Sequence, residues 1–301
     1  MSLGFLIAHL LSPPDNLLDI LEVISTGGLI VVMFALGLKV KFAEIKINFL
    51  KPRDLFLGLF LQIILIPITG IVFVLSTDFS TNIHIAIMII ACMPSAATSN
   101  FICSKVGGDT SLSISLTSIC TLLAVFTIPF FFKIFSLITE RDISILNFYY
   151  ANIIIKIFLI ITIPVIIGML LKYYLPQIEK IEKNLNKISL ILFFVIITMA
   201  IYLSAISIKN PGQSFAAVII FISIIAFFVF VATKIMNTSL KISKTVFAEA
   251  LLQNNVLGFI MVYSIGGKNV NLIPVLAIYA VCQYLVFVIL MFTLLKNKLS
   301  I

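Results

Sequence analysis

The chain is poor in the residues on which most soluble enzymes and disulfide-linked domains depend. Its 301 residues include no tryptophan, two histidines, four cysteines and only twelve acidic residues. The cysteines lie singly in apolar stretches without a Cys-x-x-Cys spacing, so neither a disulfide framework nor a zinc site is predicted. His9 and His84 are isolated, and a His-ligated metal centre is not expected. No Lys/Arg cluster is interleaved with stacking aromatics, so nucleic-acid binding is not predicted.

Apolar residues, by contrast, make up 61% of the chain, and the mean hydropathy is +1.24. Apolar runs of about 17–25 residues recur, which is the length of a helix that spans a bilayer. The short alternating segments typical of a transmembrane β-barrel are not present in the sequence. We therefore predict an all-α polytopic membrane protein with nine transmembrane helices, at roughly 23–40, 54–76, 84–104, 111–137, 149–172, 187–208, 213–236, 245–265 and 271–295.

Lysine and arginine are divided unevenly between alternate loops. Fifteen of the twenty basic residues fall on one side and four on the other, while Lys156 lies inside the fifth predicted span. The positive-inside rule places the richer side in the cytoplasm, with the N-terminus outside and the C-terminus inside. Residues 1–22 are then an N-terminal extracytoplasmic segment, and 23–301 form a single transmembrane domain embedded in a lipid bilayer.

Polar or small residues interrupt the third and the eighth predicted spans, at Pro94–Asn100 and at Gln253–Asn255. Interrupted spans at corresponding places in two halves are typical of inverted-repeat secondary transporters, in which helices break near the membrane midplane. The alternative for the third span is a proline kink whose small residues serve helix packing. The matching interruption in the eighth span favours the transporter interpretation.

Glu249 is the one acidic residue at the start of a long apolar stretch; the other eleven lie in or beside polar breaks. A carboxylate at membrane depth is costly and usually has a partner. Gln253 shares its helix face, because the two residues are four apart. Hydroxyl and amide oxygens recur nearby, at Ser99, Asn100, Ser113 and Thr117. One carboxylate among neutral oxygens suits a monovalent cation better than Ca²⁺, so Na⁺ or a proton is predicted.

Each of these residues also has a simpler interpretation. Glu249 could be an interfacial carboxylate paired with Lys244 or Lys241, which lie five and eight residues before it. The Ser and Thr residues between 111 and 118 could bond the carbonyls of their own helix or a neighbouring helix. Gln62, in the second span, could be a packing residue with a hydrogen-bonding role.

Three segments carry a resemblance to the bile acid:sodium symporter family. They are Lys51-Pro52-Arg53 with Gln62 and Pro67; Pro94-Ser95-Ala96-Ala97-Thr98-Ser99-Asn100 with Lys105-Val106-Gly107-Gly108-Asp109 and Leu112-Ser113; and Phe247-Ala248-Glu249-Ala250-Leu251-Leu252-Gln253-Asn254-Asn255. The last is similar to the family's Glu-x-x-x-Gln-Asn segment. The motifs lie in order and at family-like spacing, so the chain resembles a bacterial-type homologue of the ileal and hepatic bile acid transporters.

The resemblance implies two sodium sites where two broken helices cross. The first would consist of Ser99, Asn100, Ser113, Thr117 and Glu249. The second would consist of the side chains of Gln62, Glu249 and Gln253 and the backbone carbonyls of Ala250 and Leu252. Glu249 would then bridge both ions.

The resemblance also implies the function: sodium-coupled import, by alternating access, of an organic anion such as a bile acid or a small carboxylate. A core of approximately 54–137 and 213–295 would move against a panel of approximately 23–40 and 149–208. No enzymatic activity and no obligatory oligomer are implied. The location would be a bacterial inner membrane. A proton-coupled or uncoupled carrier, or a membrane sensor that does not transport, is the alternative.

The expected contact for the organic anion is Asn254, with Thr98 and Ala97 beside it. One departure from the family falls nearby, because Ser95 and Ala96 stand where the family has two glycines. Glycine permits close backbone approach and unusual φ/ψ values. We expect its loss to bear on the anion side of the site more than on the sodium sites.

Overall fold

The computed structural model of the chain describes residues 15–40, 42–50, 52–139, 155, 157–175, 177–207, 211–265 and 270–293. These residues are helical apart from short turns, extended pieces and one isolated bridge. Most of the predicted N-terminal segment, as well as Lys156 and the start of the fifth predicted span, lies outside the described residues. The chain is therefore an all-α membrane protein as far as it is described.

Thirteen α-helices are named here in chain order. They are α1 Asp15–Lys39, α2 Phe42–Phe49, α3 Pro52–Phe60, α4 Ile66–Ser76, α5 Thr81–Cys92, α6 Ala97–Lys105, α7 Thr110–Thr139, α8 Ile163–Tyr174, α9 Glu179–Ser207, α10 Pro211–Ile235, α11 Leu240–Leu251, α12 Asn255–Ile265 and α13 Ile273–Thr293. Short π-helical segments at Leu61–Leu65 and Phe158–Thr162 join α3 to α4 and precede α8, and the 3₁₀ turn Val270–Leu272 precedes α13.

Four continuous helices of the described residues are long and apolar enough to cross a membrane. They are Pro52–Ser76, Thr110–Thr139, Pro211–Ile235 and Ile273–Phe292. Shorter apolar helices occur at Thr26–Lys39, Thr81–Cys92 and Phe158–Tyr174. A helix of 20 residues is about 30 Å long, which matches the hydrocarbon core of a bilayer.

Two helices extend beyond the membrane spans predicted for them, and both do so for the same physical reason. α1 begins at Asp15 and not at 23, so the predicted N-terminal segment 1–22 ends in helix. α9 begins at Glu179 and not at 187. Both helices continue past their apolar part into polar sequence, and an apolar run gives no signal for that extension.

Each π-helical segment is followed closely by a proline, Pro67 in α4 and Pro164 in α8. Proline has no N–H and its ring clashes with the carbonyl four residues earlier in a regular α-helix. A wider turn relieves that clash without ending the helix. The first π segment contains Gln62, so the widened turn lies at a predicted site residue.

The two interrupted spans are pairs of separate helices. Met93–Ala96 separates α5 from α6, and Leu252–Asn254 separates α11 from α12. α11, which carries Glu249, packs against α3, α6, α7 and α10. The breaks therefore lie inside protein, where non-helical backbone at membrane depth can find hydrogen-bond partners.

Close backbone packing joins α1 to α8. Gly37 and Gly168 meet where the two helices cross, and a Cβ added at Gly37 would lie 3.0 Å from the Cα of Gly168 and overlap the carbonyl oxygen of Val165. A Cβ at Gly168 would overlap the carbonyl oxygen of Phe34. Small residues that allow such approach are a common basis of helix association in membranes.

We expect Gly37→Ala to destabilise the protein by about 1–3 kcal/mol, because the new methyl group must push two backbones apart. The measurement is the apparent Tm of the purified protein in detergent. Gly27→Ala on the same helix is the matched control, since a Cβ there meets nothing within 4 Å. Equal Tm values for the two variants would contradict the close crossing of α1 and α8.

Candidate cation site

The two helix breaks lie side by side and are joined through their backbones. The Ala96 N–H donates to the Leu252 carbonyl at 2.8 Å, and the Asn254 N–H donates to the Pro94 carbonyl at 3.0 Å. Ser95 and Gln253 form an antiparallel bridge between these bonds. Pairing one break with the other satisfies backbone groups that neither helix pair can satisfy alone.

Glu249 lies in the last turn of α11 and is only 3% exposed. The carboxyl end of a helix carries partial negative charge, so this position disfavours a carboxylate. Four hydroxyl groups donate to it at 2.5 to 2.7 Å: Ser99 and Ser113 to Oε1, and Ser95 and Thr117 to Oε2. The hydroxyls come from the first break, from α6 and from α7.

No positive side chain of the described residues compensates Glu249. Lys244 Nζ donates to the Val106 carbonyl at 2.8 Å, and Lys241 forms an ion pair with Asp109 at 3.0 Å. The interpretation of Glu249 as the partner of a nearby lysine is therefore wrong. A buried carboxylate surrounded by neutral donors alone favours either a bound cation or a bound proton.

The hydroxyl groups around Glu249 have too few protons for all the acceptors that they face. Each hydroxyl has one proton, and four protons to an ionised Glu249 give two donors for each carboxylate oxygen. Asn100 Oδ1 lies 2.7 Å from Ser113 Oγ and 3.2 Å from Thr117 Oγ1, and neither hydroxyl can donate to both acceptors. A cation among these oxygens, or a proton on Glu249 that frees a hydroxyl proton for Asn100, removes the mismatch. Exchange of the Asn100 amide oxygen with its Nδ2, which is buried without a partner among the described residues, would also remove it.

The hydroxyls of α7 divide between two faces of the helix. Ser113 and Thr117 face Glu249, while Ser111 and Ser115 accept hydrogen bonds from the Asn48 amide of α2 at 3.2 and 2.8 Å. Ser118 donates to the carbonyl of Ile114 in its own helix. Bonding within or between helices therefore describes Ser111, Ser115 and Ser118. It also describes Ser113 and Thr117, whose interhelical partner is the carboxylate of Glu249.

The side chains of Gln62 and Gln253, two residues of the second predicted site, bond each other. Gln62 Nε2 donates to Gln253 Oε1 at 2.9 Å and to the Met93 carbonyl at 2.8 Å. Gln253 Nε2 donates to the Ala250 carbonyl at 2.8 Å, and the Leu252 carbonyl accepts the Ala96 N–H. The group contains several carbonyl oxygens, bonded mainly to one another. Glu249, the remaining residue of the second predicted site, has its four hydrogen bonds with Ser95, Ser99, Ser113 and Thr117 instead.

The residues expected near the organic anion are less closely associated. Thr98 Oγ1 lies 3.0 Å from the hydroxyl of Tyr284 in α13, and Ala97 is the half-buried first residue of α6. Asn254 Oδ1 accepts the Leu257 N–H at the start of α12, while its Nδ2 is buried without a hydrogen-bond partner in the described part of the chain.

Sequence reasoning missed three residues of this region. The glycine replaced by Ser95 was expected to matter for the anion side, and Ser95 itself was given no role, yet its hydroxyl contacts the carboxylate of Glu249. Gln283, wholly buried in α13, accepts the Gln253 N–H at 3.0 Å. Tyr284 follows it. The available signal was Gln283 itself, an amide in the middle of a long apolar span.

A model of the Sodium Bile acid symporter family matches residues 26–211, which is more than half of the chain. The chain belongs to this family. The matched part includes Gln62, Ser99, Asn100, Ser113 and Thr117, and it ends before Glu249. The hydroxyl and amide residues around Glu249 thus lie inside the matched range. Glu249 itself lies in α11, outside that range, and the structure brings the two parts together.

Three relatives with sodium-dependent transport in their names are similar to this chain. The ileal sodium/bile acid cotransporter of Oryctolagus cuniculus is 27% identical over 205 residues, 66% of this chain and 58% of the relative. The hepatic sodium/bile acid cotransporter of Homo sapiens is 33% identical over 197 residues, 64% of this chain and 54% of the relative. An uncharacterized sodium-dependent transporter of Bacillus subtilis is 23% identical over 230 residues, 76% of this chain and 70% of the relative. The match thus covers less than two thirds of either mammalian protein.

Thr117→Val should lower the stability of the protein in sodium-free buffer by about 1.5–3 kcal/mol, because Glu249 loses one of its four donors at constant side-chain volume. Thr121→Val, one turn further along α7, is the matched control. Thr121 Oγ1 is buried without a hydrogen-bond partner among the described residues, so its removal should be neutral or stabilising. Thermal unfolding of both variants decides, and equal losses would contradict the role of Thr117 as a donor to Glu249.

Proposed function

We propose that this chain is a sodium-coupled secondary transporter that imports an organic anion. The observation that carries the proposal is Glu249, buried against four hydroxyl groups where two helix breaks meet, with no positive side chain of the described residues to neutralise it. Family membership supports the same conclusion.

The first sodium ion would bind Glu249, Ser99, Asn100, Ser113 and Thr117. These are hard oxygen donors with a single negative charge, which suits a monovalent cation. These donors include no thiolate or imidazole, the ligands that many transition metals prefer.

The second sodium ion would bind the side-chain oxygens of Gln62 and Gln253, the carbonyls of Ala250 and Leu252, and Glu249. The hydrogen bonds between the side-chain amides of Gln62 and Gln253 would have to break, and both amide oxygens would turn to the ion. Sodium at this site then competes with bonds that hold the π-helical turn against the second break. This competition gives the ion a means of changing the structure, because it favours one arrangement over another.

The architecture we propose is a nine-span inverted repeat with two crossing broken helices. The core would be approximately 54–137 and 213–295, and the panel approximately 23–40 and 149–208. The close crossing of Gly37 and Gly168 supports a panel in which α1 and α8 move as one body. Alternating access would then be rocking of that body against the core, with the N-terminus outside a bacterial inner membrane and the C-terminus in the cytoplasm.

The anion would bind near the starts of α6 and α12, where the helix dipole favours negative charge. The buried Nδ2 of Asn254 is a donor without a partner among the described residues, and a carboxylate or sulfonate would supply one. Thr98 and Ala97 would border the same place, with the Tyr284 hydroxyl beside Thr98. Bile acids and small carboxylates both have the required anionic group.

Proton coupling is the second candidate, because a proton on Glu249 also removes the mismatch at Asn100. The number of neutral oxygens favours sodium, since a proton needs only one acceptor. An uncoupled carrier, or a sensor that binds the anion without moving it, would use the same residues and differ only in flux.

In proteoliposomes, an inward sodium gradient should drive accumulation of a suitable organic anion, and replacing Na⁺ by K⁺ should abolish it. Glu249→Gln should reduce sodium-driven uptake at least about 100-fold, because removing one partner of a buried charge pair costs about 3–5 kcal/mol. Asp78→Asn, at an exposed acidic residue between α4 and α5, is the control and should retain uptake.

Uptake that persists in K⁺ and follows an inward pH gradient would transfer the coupling from sodium to protons. Saturable binding of the anion to the purified protein without any flux would identify a sensor. Retained sodium-driven uptake in Glu249→Gln would contradict the proposed site even if the protein is a transporter.

The proposed ratio of two sodium ions to one monovalent anion moves one net positive charge inward. An inside-negative potential of 100 mV should therefore raise accumulation by roughly 50-fold, since each charge gains about 2.3 kcal/mol. The potential is set with a potassium gradient and valinomycin, and the control is the same gradient without the ionophore. No response to the potential would indicate one sodium ion for each anion.

A further inference from the structure

Ser95 lies in the break between α5 and α6, and its side chain reaches the centre of the oxygen group. The residue is 1% exposed, and its hydroxyl donates to Glu249 Oε2 at 2.5 Å. The other side-chain oxygen in hydrogen-bond range is Thr117 Oγ1, at 3.2 Å. Ser95 therefore contacts two members of the predicted sodium site, although it was not predicted to belong to it.

The backbone fixes this position without help from the hydroxyl. Hydrogen bonds on either side of Ser95, from Ala96 to Leu252 and from Asn254 to Pro94, pair the first break with the second. Ser95 itself bridges to Gln253. Loss of the hydroxyl should accordingly leave the paired breaks in place, and the hydroxyl is available for a role in the site.

The hydroxyl has two consequences for Glu249. Its proton gives Oε2 a second donor beside Thr117, so each carboxylate oxygen of Glu249 accepts two hydrogen bonds. The lone pairs of the Ser95 oxygen are its remaining hydrogen-bonding capacity, because its proton is already donated to Glu249. An acceptor next to a carboxylate, with no donor left to fill it, is a ligand for a cation.

We propose that Ser95 is a specificity-determining residue of the first cation site, where its Oγ adds an oxygen ligand and holds Glu249 Oε2 towards that ion. The inference rests on the proposed function. It adds one ligand to the five residues named for that site. More oxygen ligands favour the larger of two cations of equal charge, so the hydroxyl should favour Na⁺ over Li⁺.

The test is a salt titration of thermal stability in detergent, with K⁺ replacing Na⁺ or Li⁺ at constant ionic strength. Stabilisation by a ligand depends on its concentration relative to Kd, so each curve gives an apparent Kd without measuring transport. Ser95→Ala and Ser95→Gly should raise the apparent Kd for Na⁺ about 10-fold and that for Li⁺ less than 3-fold. Two substitutions are used so that a fault in the backbone of one does not decide the result.

Ser118→Ala is the matched control, because Ser118 is equally buried on α7 and its hydroxyl bonds only the Ile114 carbonyl in the described structure. It should leave both apparent Kd values within 2-fold of the wild type. An unchanged or lower Kd for Na⁺ in both Ser95 variants would overturn the proposal, as would equal losses for Na⁺ and Li⁺. A wild-type protein that Na⁺ does not stabilise would instead contradict the proposed function, and the two failures are thus distinguishable.

Discussion

The burial of one carboxylate beside neutral groups is the constraint on which the rest of the site depends. Glu249 is at the disfavoured end of a helix and is removed from water, and four hydroxyls are its hydrogen-bond donors. Those hydroxyls can surround it only if α6, α7 and the first break converge on the end of α11. The pairing of the two breaks is a condition for that convergence.

The paired breaks carry a second constraint, because each supplies what the other lacks. A break in a membrane helix leaves backbone donors and acceptors without partners, and such groups cost several kcal/mol each in hydrocarbon. Here the extended residues of one break bond those of the other, as two short strands do. The same arrangement places the Ser95 hydroxyl beside Glu249 and the Gln253 amide beside Gln62. Backbone satisfaction and ligand placement are therefore achieved by one set of contacts.

Much of the site could be predicted from the sequence, because polar residues in apolar spans are costly and so informative. Glu249, the spacing of Ser113 and Thr117, and the interruption at Pro94 all follow from that reasoning. The direction of the Ser95 side chain could not be predicted, since it depends on pairing with a segment far along the chain. The starts of α1 and α9 lie before the predicted spans because helices continue into polar sequence, and the backbone partner of Lys244 has no sequence signal.

The contacts of Asn48 have a mechanical consequence for α7. Its side-chain amide donates hydrogen bonds to Ser111 and Ser115, which are one turn apart. Ser113 and Thr117, on the opposite face of the same turns, donate to Glu249. A screw rotation or axial slip of α7 by one residue would break both attachments of Asn48 and misalign the two hydroxyls at once. The Asn48 side chain of α2 thus helps to fix the axial position and rotation of α7. A displacement of α2 would therefore be transmitted through α7 to the carboxylate of Glu249.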